Sequence, residues 1–140
     1  MPLRVIDVLL QEMQTLMNQH RYQEALQKGR TLLAMLQKDE PEKRAVVFYN
    51  MGTCYNELGQ YAEAETQYAT AIQEYPNDSD IWYNRANNQH QWGIYARRLG
   101  DSAESQTHFQ QAMDYALHAK GINPSDTDIL NLITLIQHSM

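Results

Sequence analysis

Apolar residues recur at three- and four-residue spacing along most of the chain, the pattern of helices that each bury one stripe. Residues 4–18 read as a first helix, with Val5, Ile6, Leu9, Leu10, Met13, Leu16 and Met17 apolar. A second begins in HRYQEAL and runs to about Gln37. KDEPEK is then a charged turn, and Pro41 suits the first turn of the next helix. The pattern is clearest from Ala45 to Asp78. There, a helix with Phe48, Met51, Gly52 and Tyr55 stops at Leu58-Gly59, because glycine tolerates the left-handed conformation that closes a helix. A second, with Ala64, Tyr68 and Ala71, stops before Pro76, which cannot continue it. Gly52 and Ala64 are small enough for the two backbones to approach, and Phe48, Tyr55 and Tyr68 fill the space around that crossing.

The spacing then returns with a change. Trp82, Tyr83, Asn84 and Ala86 follow Phe48, Tyr49, Asn50 and Gly52 by 34 residues. The closing Pro124, however, follows Pro76 by 48. A stop in register would fall at Trp92-Gly93, yet Leu99-Gly100 stands seven residues later, and seven more are added between Gly100 and Pro124. Seven residues make close to two helical turns, about 10 Å, so both helices of this third hairpin are expected to be about two turns longer. Trp82, Ala86, Gln89, Gly93, Ala96 and Leu99 would form one stripe, and Phe109, Ala112, Met113, Ala116 and Ala119 the facing one. Asp101 with Glu104 reads as a capping box at the start of the second arm. After Pro124 a last helix would cover the end of the third hairpin with Ile129, Leu132, Ile133 and Ile136. Leu130 and Leu135 lie off that stripe and leave two readings open, burial in a wide contact or a self-association surface.

An aromatic–apolar–small–aromatic first helix, small and aromatic contacts in the second and a closing proline over 34 residues resemble the tetratricopeptide (TPR) repeat. The resemblance covers about Gln19 to Pro124. It implies an all-α fold, a right-handed solenoid of three helical hairpins plus a C-terminal capping helix, in one domain over 1–140. The boundaries expected are a degenerate repeat 1 at about 4–38, repeat 2 at 45–78, an elongated repeat 3 at 79–124 and a cap at 126–138. Repeat 1 keeps Tyr22 and Ala25 in the places of Tyr61 and Ala64 but lacks the aromatic-to-glycine pattern, as terminal units often do. The YNMG of repeat 2, the long third hairpin with its RLGD turn and the short final helix are also similar to the three-repeat photosystem I assembly chaperones of cyanobacteria and plastids. That likeness implies transient binding of photosystem subunits at a membrane surface.

Charge and composition narrow the function. The net charge is −6, with a balance of +1 over residues 1–44 and −7 over residues 45–140. Such a field repels nucleic acid and anionic lipid and leaves two readings open, a neutral or basic protein or peptide partner, which fits better, or a merely solvated acidic face. Cys54 is the single cysteine, which excludes an intramolecular disulfide and points to a reducing, cytoplasmic setting. No apolar run approaches the ~20 residues that span a bilayer, and MPLRVIDVLL reads as a helix start, not a signal peptide. A membrane association would then be peripheral, through a partner. His20, His90, His108, His118 and His138 show no paired ligand spacing, and no phosphate loop or nucleophile elbow is present. No metal, cofactor or enzymatic activity is therefore expected.

Two surfaces are candidates for binding. Stacked hairpins line a concave face with their first helices. Tyr49, Asn50, Thr53, Asn56, Tyr83, Asn84, Asn87 and Gln91 are expected there, extended by Gln11 and Gln14. Amides both donate to and accept from a peptide backbone, and tyrosines add apolar area with a polar tip. TPR modules that grip an acidic chaperone C-terminus use Lys, Arg and Asn. Here only Asn50 matches, while Leu10, Asp80 and Asn84 stand at the basic positions. The tip of the third hairpin is the second candidate, with Trp92, Tyr95, Arg97 and Arg98. Trp and Arg often anchor interfaces, although packing along the hairpin accounts equally for Trp92 and Tyr95.

Overall fold

A computed structural model describes residues 3–140. The helix start read at MPLRVIDVLL falls partly on Met1 and Pro2, which lie outside the described residues. Among those described, all regular structure is helical: α1 Leu3–Asn18, α2 Tyr22–Met35, α3 Pro41–Glu57, α4 Tyr61–Glu74, α5 Ser79–Arg98, α6 Ser102–Ile122 and α7 Thr127–Ser139. They fall into two compact units, Met1–Pro76 and Asn77–Met140.

In the first unit α1 pairs with α2 and α3 with α4. Met13, Leu26, Leu32, Leu36, Val47, Met51 and Cys54 form its core, with Ile6, Leu9, Leu16 and Tyr22 packed against them. Burial there pushes the Cys54 thiol up to about 12, with Glu57 adding to the shift, so the residue stays a neutral core filler. The close crossing of α3 and α4 rests on Gly52: a Cβ at that position would stand 2.7 Å from Cε1 of the buried Tyr68 ring.

In the second unit α5 and α6 form one long hairpin, and α7 lies mainly against α6. Ile129, Leu132 and Ile136 are buried, the last two in a cluster with Ala86, Ala112 and Ala116. The small alanines leave room for the α7 side chains. Leu130 and Leu135 remain 37% and 52% exposed.

The lengthening of the third hairpin is unequal, which corrects the expectation of two turns in each arm. α6 has 21 residues against 14 in α4, the seven foreseen. α5 has 20 against 17 in α3, only three more, because α3 itself starts early, at Pro41. Proline at the first helical position needs no N–H there, so the preceding charged turn is short. The crossing glycine also shifts: Gly93, not Ala86, takes the part of Gly52. A Cβ on Gly93 would stand 2.6 Å from Cε1 of Phe109. Gly93 lies seven residues before Gly100, as Gly52 lies before Gly59. The shared register is therefore set from the hairpin tip, and the additional length lies at the far end.

All three tips close in the same way. Gly59, Gly100 and His20 adopt φ of 74°, 85° and 60°. In each, the next residue's N–H reaches back to a carbonyl of the last turn: Gln60 to Tyr55 at 2.9 Å, Asp101 to Ala96 at 3.0 Å and Arg21 to Leu16 at 2.9 Å. This is the Schellman closure. His20 pays for it with a left-handed conformation that β-carbons disfavour, while its Nδ1 stands 2.6 Å from the Tyr22 hydroxyl. The helix starts differ between units. Asp78, Asp101 and Asp126 each accept a backbone N–H at the start of α5, α6 and α7, whereas Arg21, Glu40 and Gln60 make no such side-chain cap. The capping box at Asp101 is half formed: the Asp101 carboxylate accepts from Glu104 N at 2.9 Å, but the Glu104 carboxylate turns to His108 Nε2 at 3.3 Å.

Candidate partner-binding site

α1 and α3 bound an open cleft of about 240 Å³ in the first unit, lined by Asp7, Leu10, Gln11, Gln14, Val46 and Asn50. Helical spacing makes this lining: positions 7, 10, 11 and 14 share one face of α1, and 46 and 50 are one turn apart on α3. Asn50 is 8% exposed, whereas Val46 is 46% exposed and Gln11 and Gln14 also lie at the surface, so one amide sits deep in an otherwise open cleft. Asp7 is the one charged residue of the lining among the described residues. Gln11, Gln14 and Asn50, all anticipated, come together here. Asp7, Leu10 and Val46 complete the cleft and were not among the expected groove residues. The i, i+3 and i+7 spacing of Asp7, Leu10 and Gln14 was the available signal.

The remaining groove residues divide between the units. Thr53 is tied into the α3–α4 contact, its Oγ1 donating to the Tyr49 carbonyl at 3.2 Å and standing 3.0 Å from the Tyr68 hydroxyl. The Tyr49 ring tilts against Tyr68 at 6.1 Å between centroids. Burial raises the Tyr68 hydroxyl well above its usual range, a shift that the Thr53 hydrogen bond opposes. Asn56 is half-buried. In the second unit Tyr83 packs against the alanine–leucine cluster under α7, and its hydroxyl is raised by burial and by Asp128 and Asp126. Asn84 donates to the Asp80 carbonyl at 2.9 Å. The Asp80 carboxyl is raised by burial, Asp78 and Asp126. Asn87 and Gln91 are half-buried.

At the third tip, Trp92 turns inward and stacks on His108, with ring centroids 4.0 Å apart and planes at 22°. His108 Nδ1 stands 2.8 Å from Gln89 Oε1. The Arg97 guanidinium lies 4.7 Å over the Phe109 ring and donates to the Ser139 carbonyl at the end of α7. Tyr95 and Leu99 remain 50% and 68% exposed, and Arg98 is also at the surface. A second stack at the far end of the hairpin sets Trp82 on His118 at 3.8 Å, with Arg85 4.0 Å over Tyr115. Its signal was the matched spacing: Trp82 to Trp92 and His108 to His118 are both ten residues, as two antiparallel helices require. Buried His90 is held by Ser139 Oγ at 2.8 Å, and burial and Arg97 lower its pKa.

No helix among the described residues is long and apolar enough to cross a membrane. Nor do three His, Cys, Asp or Glu side chains among them gather as a metal site needs.

Paired antiparallel helices with a glycine crossing, a Schellman tip and an open first-helix face define a tetratricopeptide-repeat fold, and residues 14–76 match the family described as Tetratricopeptide repeat. Within that class the chain is similar to Photosystem I assembly protein Ycf3, at 30% identity over 105 residues of the Cuscuta gronovii protein and 32% over 110 residues of that from Rippkaea orientalis. These alignments take in 75% and 76% of this chain but 61% and 56% of the relatives, so the chain spans about three-fifths of their length. Solved structures share the fold at low identity. The first TPR of Spaghetti (RPAP3) bound to an HSP90 peptide gives a TM-score of 0.74 at 15% identity, covering 96% of this chain and 91% of that one. The Yersinia enterocolitica type III secretion chaperone SycD with a peptide of the translocator YopD gives 0.73 at 13%, covering 97% and 95%.

Proposed function

We propose that the protein is a non-catalytic, cytoplasmic scaffold of the adaptor or assembly-chaperone kind, holding an extended segment of a partner protein on the first-helix faces of its repeats. The observation that carries this reading is the α1–α3 cleft, where Gln11, Gln14 and Asn50 converge beside the apolar Leu10 and Val46. Amides of this kind satisfy a peptide backbone whatever its sequence, and the aliphatic walls accept a side chain. The peptide complexes among proteins of the same fold support it. Affinity capture from the native lysate tests it: Gln14→Ala with Asn50→Ala should release the captured partner while helicity is retained. Unchanged capture would move the site away from the cleft, with the exposed Tyr95 and Arg98 the next place to substitute.

A narrower reading is favoured by the similarity to proteins named for photosystem I assembly, which runs over three quarters of this chain. In it the partner is a photosystem I subunit, and any membrane contact comes through that partner. A source organism without photosystem I eliminates this reading and leaves the general one standing. The exposed Leu130 and Leu135 favour instead a structural homo-oligomer, and light scattering at two concentrations decides, since a strict monomer refutes it.

A further inference from the structure

We infer that the α1–α3 cleft selects a segment in which a lysine or arginine stands beside an aliphatic residue. This rests on the cleft being the peptide site and adds the chemistry of the peptide. Among the described residues the lining holds one carboxylate, Asp7, and no basic side chain. Its other polar groups, Gln11, Gln14 and Asn50, are uncharged amides that suit backbone N–H and C=O groups without choosing a side chain. Discrimination therefore falls to Asp7, which favours a cation and repels a carboxylate, and to the aliphatic pair Leu10 and Val46.

The dimensions restrict the motif. From Asp7 to Gln14 is seven residues of helix, about 10 Å along the axis. An extended peptide advances roughly 3.3 Å per residue, so the cleft reads about three residues. Asp7 and Leu10 lie about one turn apart, which sets the cation and the aliphatic side chain within two positions of each other. The unit that contains the cleft agrees in sign, with seven Lys/Arg against ten Asp/Glu over residues 1–76. An acidic segment would meet the Asp7 carboxylate, with no basic side chain among the described lining residues to offset it.

Three twelve-residue amidated peptides of equal aliphatic content, carrying lysine, glutamine or glutamate beside leucine, provide the test by fluorescence polarisation. Because Asp7 is exposed and the pair is screened, the lysine peptide should bind two- to fivefold more tightly than the glutamine one, and the glutamate peptide most weakly. The margin should shrink in 0.5 M salt. Asp7→Lys, a substitution at an exposed position that circular dichroism should show to be folded, should reverse the order. Equal binding of the three peptides, or an order unchanged in Asp7→Lys, overturns the inference while leaving the cleft as a peptide site. Failure of all three to bind, or binding indifferent to Asn50→Ala, overturns the site itself and this inference with it.

Discussion

Gly93→Ala is the sharpest probe of what holds the long hairpin together. Helix propensity alone favours alanine by about 1 kcal/mol at an interior position. Packing opposes it, because the new Cβ would lie 2.6 Å from Cε1, 2.7 Å from Cδ1 and 3.1 Å from Cζ of Phe109. That ring is fully buried, with His90 at 5.7 Å on one side and the Arg97 guanidinium at 4.7 Å over its face, so it has no free direction. Overpacking of this kind costs roughly 1–3 kcal/mol, and α5 must also move away from α6 along a contact that runs the length of both. Set against the propensity gain, the expected net effect is a loss of up to about 2 kcal/mol in urea denaturation. Gly121→Ala is the internal control: it is also helical, but nothing stands within 4 Å of its Cβ, so propensity acts alone and should stabilise by about 0.5–1 kcal/mol. The two substitutions are chemically identical and should differ in sign. A Gly93→Ala protein stabilised as much as Gly121→Ala would refute the claim that the crossing distance is set by this glycine.

Three further expectations follow from the same geometry. His20→Gly should stabilise by up to about 1 kcal/mol, because the left-handed turn no longer strains a side chain and the hydrogen bond lost to Tyr22 is exposed; a clear loss in urea would contradict it. His90 is held neutral in the fold, so the unfolded chain binds the proton more readily, and stability should fall as pH drops through and below about 6.5. His90→Gln should blunt that decline in pH-dependent melts, and an unchanged slope counts against it. Cys54, buried with its thiol pushed up to about 12, should resist iodoacetamide at pH 8 until denaturant opens the first unit, as mass spectrometry would register.

What the sequence disclosed and what it concealed divide along physical lines. Gly52 against Tyr68, the Leu-Gly tips and the buried face of α7 were legible because each depends on a local pattern: a small residue at the crossing, a left-handed stop, a 3.6-residue stripe. Gly93 belongs to the expected α5 stripe, but a period counted forward from Phe48 sets Ala86 level with Gly52, while the chain counts back from Gly100 and makes Gly93 the crossing residue. Close approach needs the residue without a side chain, and that requirement outranks the period. Gln89 belonged to the predicted stripe but is buried for a polar reason, its amide oxygen facing His108. Trp92 was left between interface and packing, because its stacking partner lies sixteen residues away on another helix. The strained His20 was concealed by residue type, although the match of Tyr22 to Tyr61 already set it level with Gly59. The lining of the cleft was half legible: the amides followed from their stripe and Asp7 shares the spacing of Leu10 and Gln14 on α1, while Val46 needed the relative placement of α1 and α3.

The two stacked tryptophans have a practical consequence. Both Trp residues of the chain, Trp82 and Trp92, sit in Asn77–Met140, and its single thiol, Cys54, is buried in Met1–Pro76. Indole emission, sensitive to the imidazole stacked on each ring, therefore reports melting of the second unit alone, and thiol labelling reports the first. Superimposed curves from these two native reporters would mean one cooperative transition, and separated curves two. The wild-type protein can thus be asked whether its halves unfold together, with no label introduced.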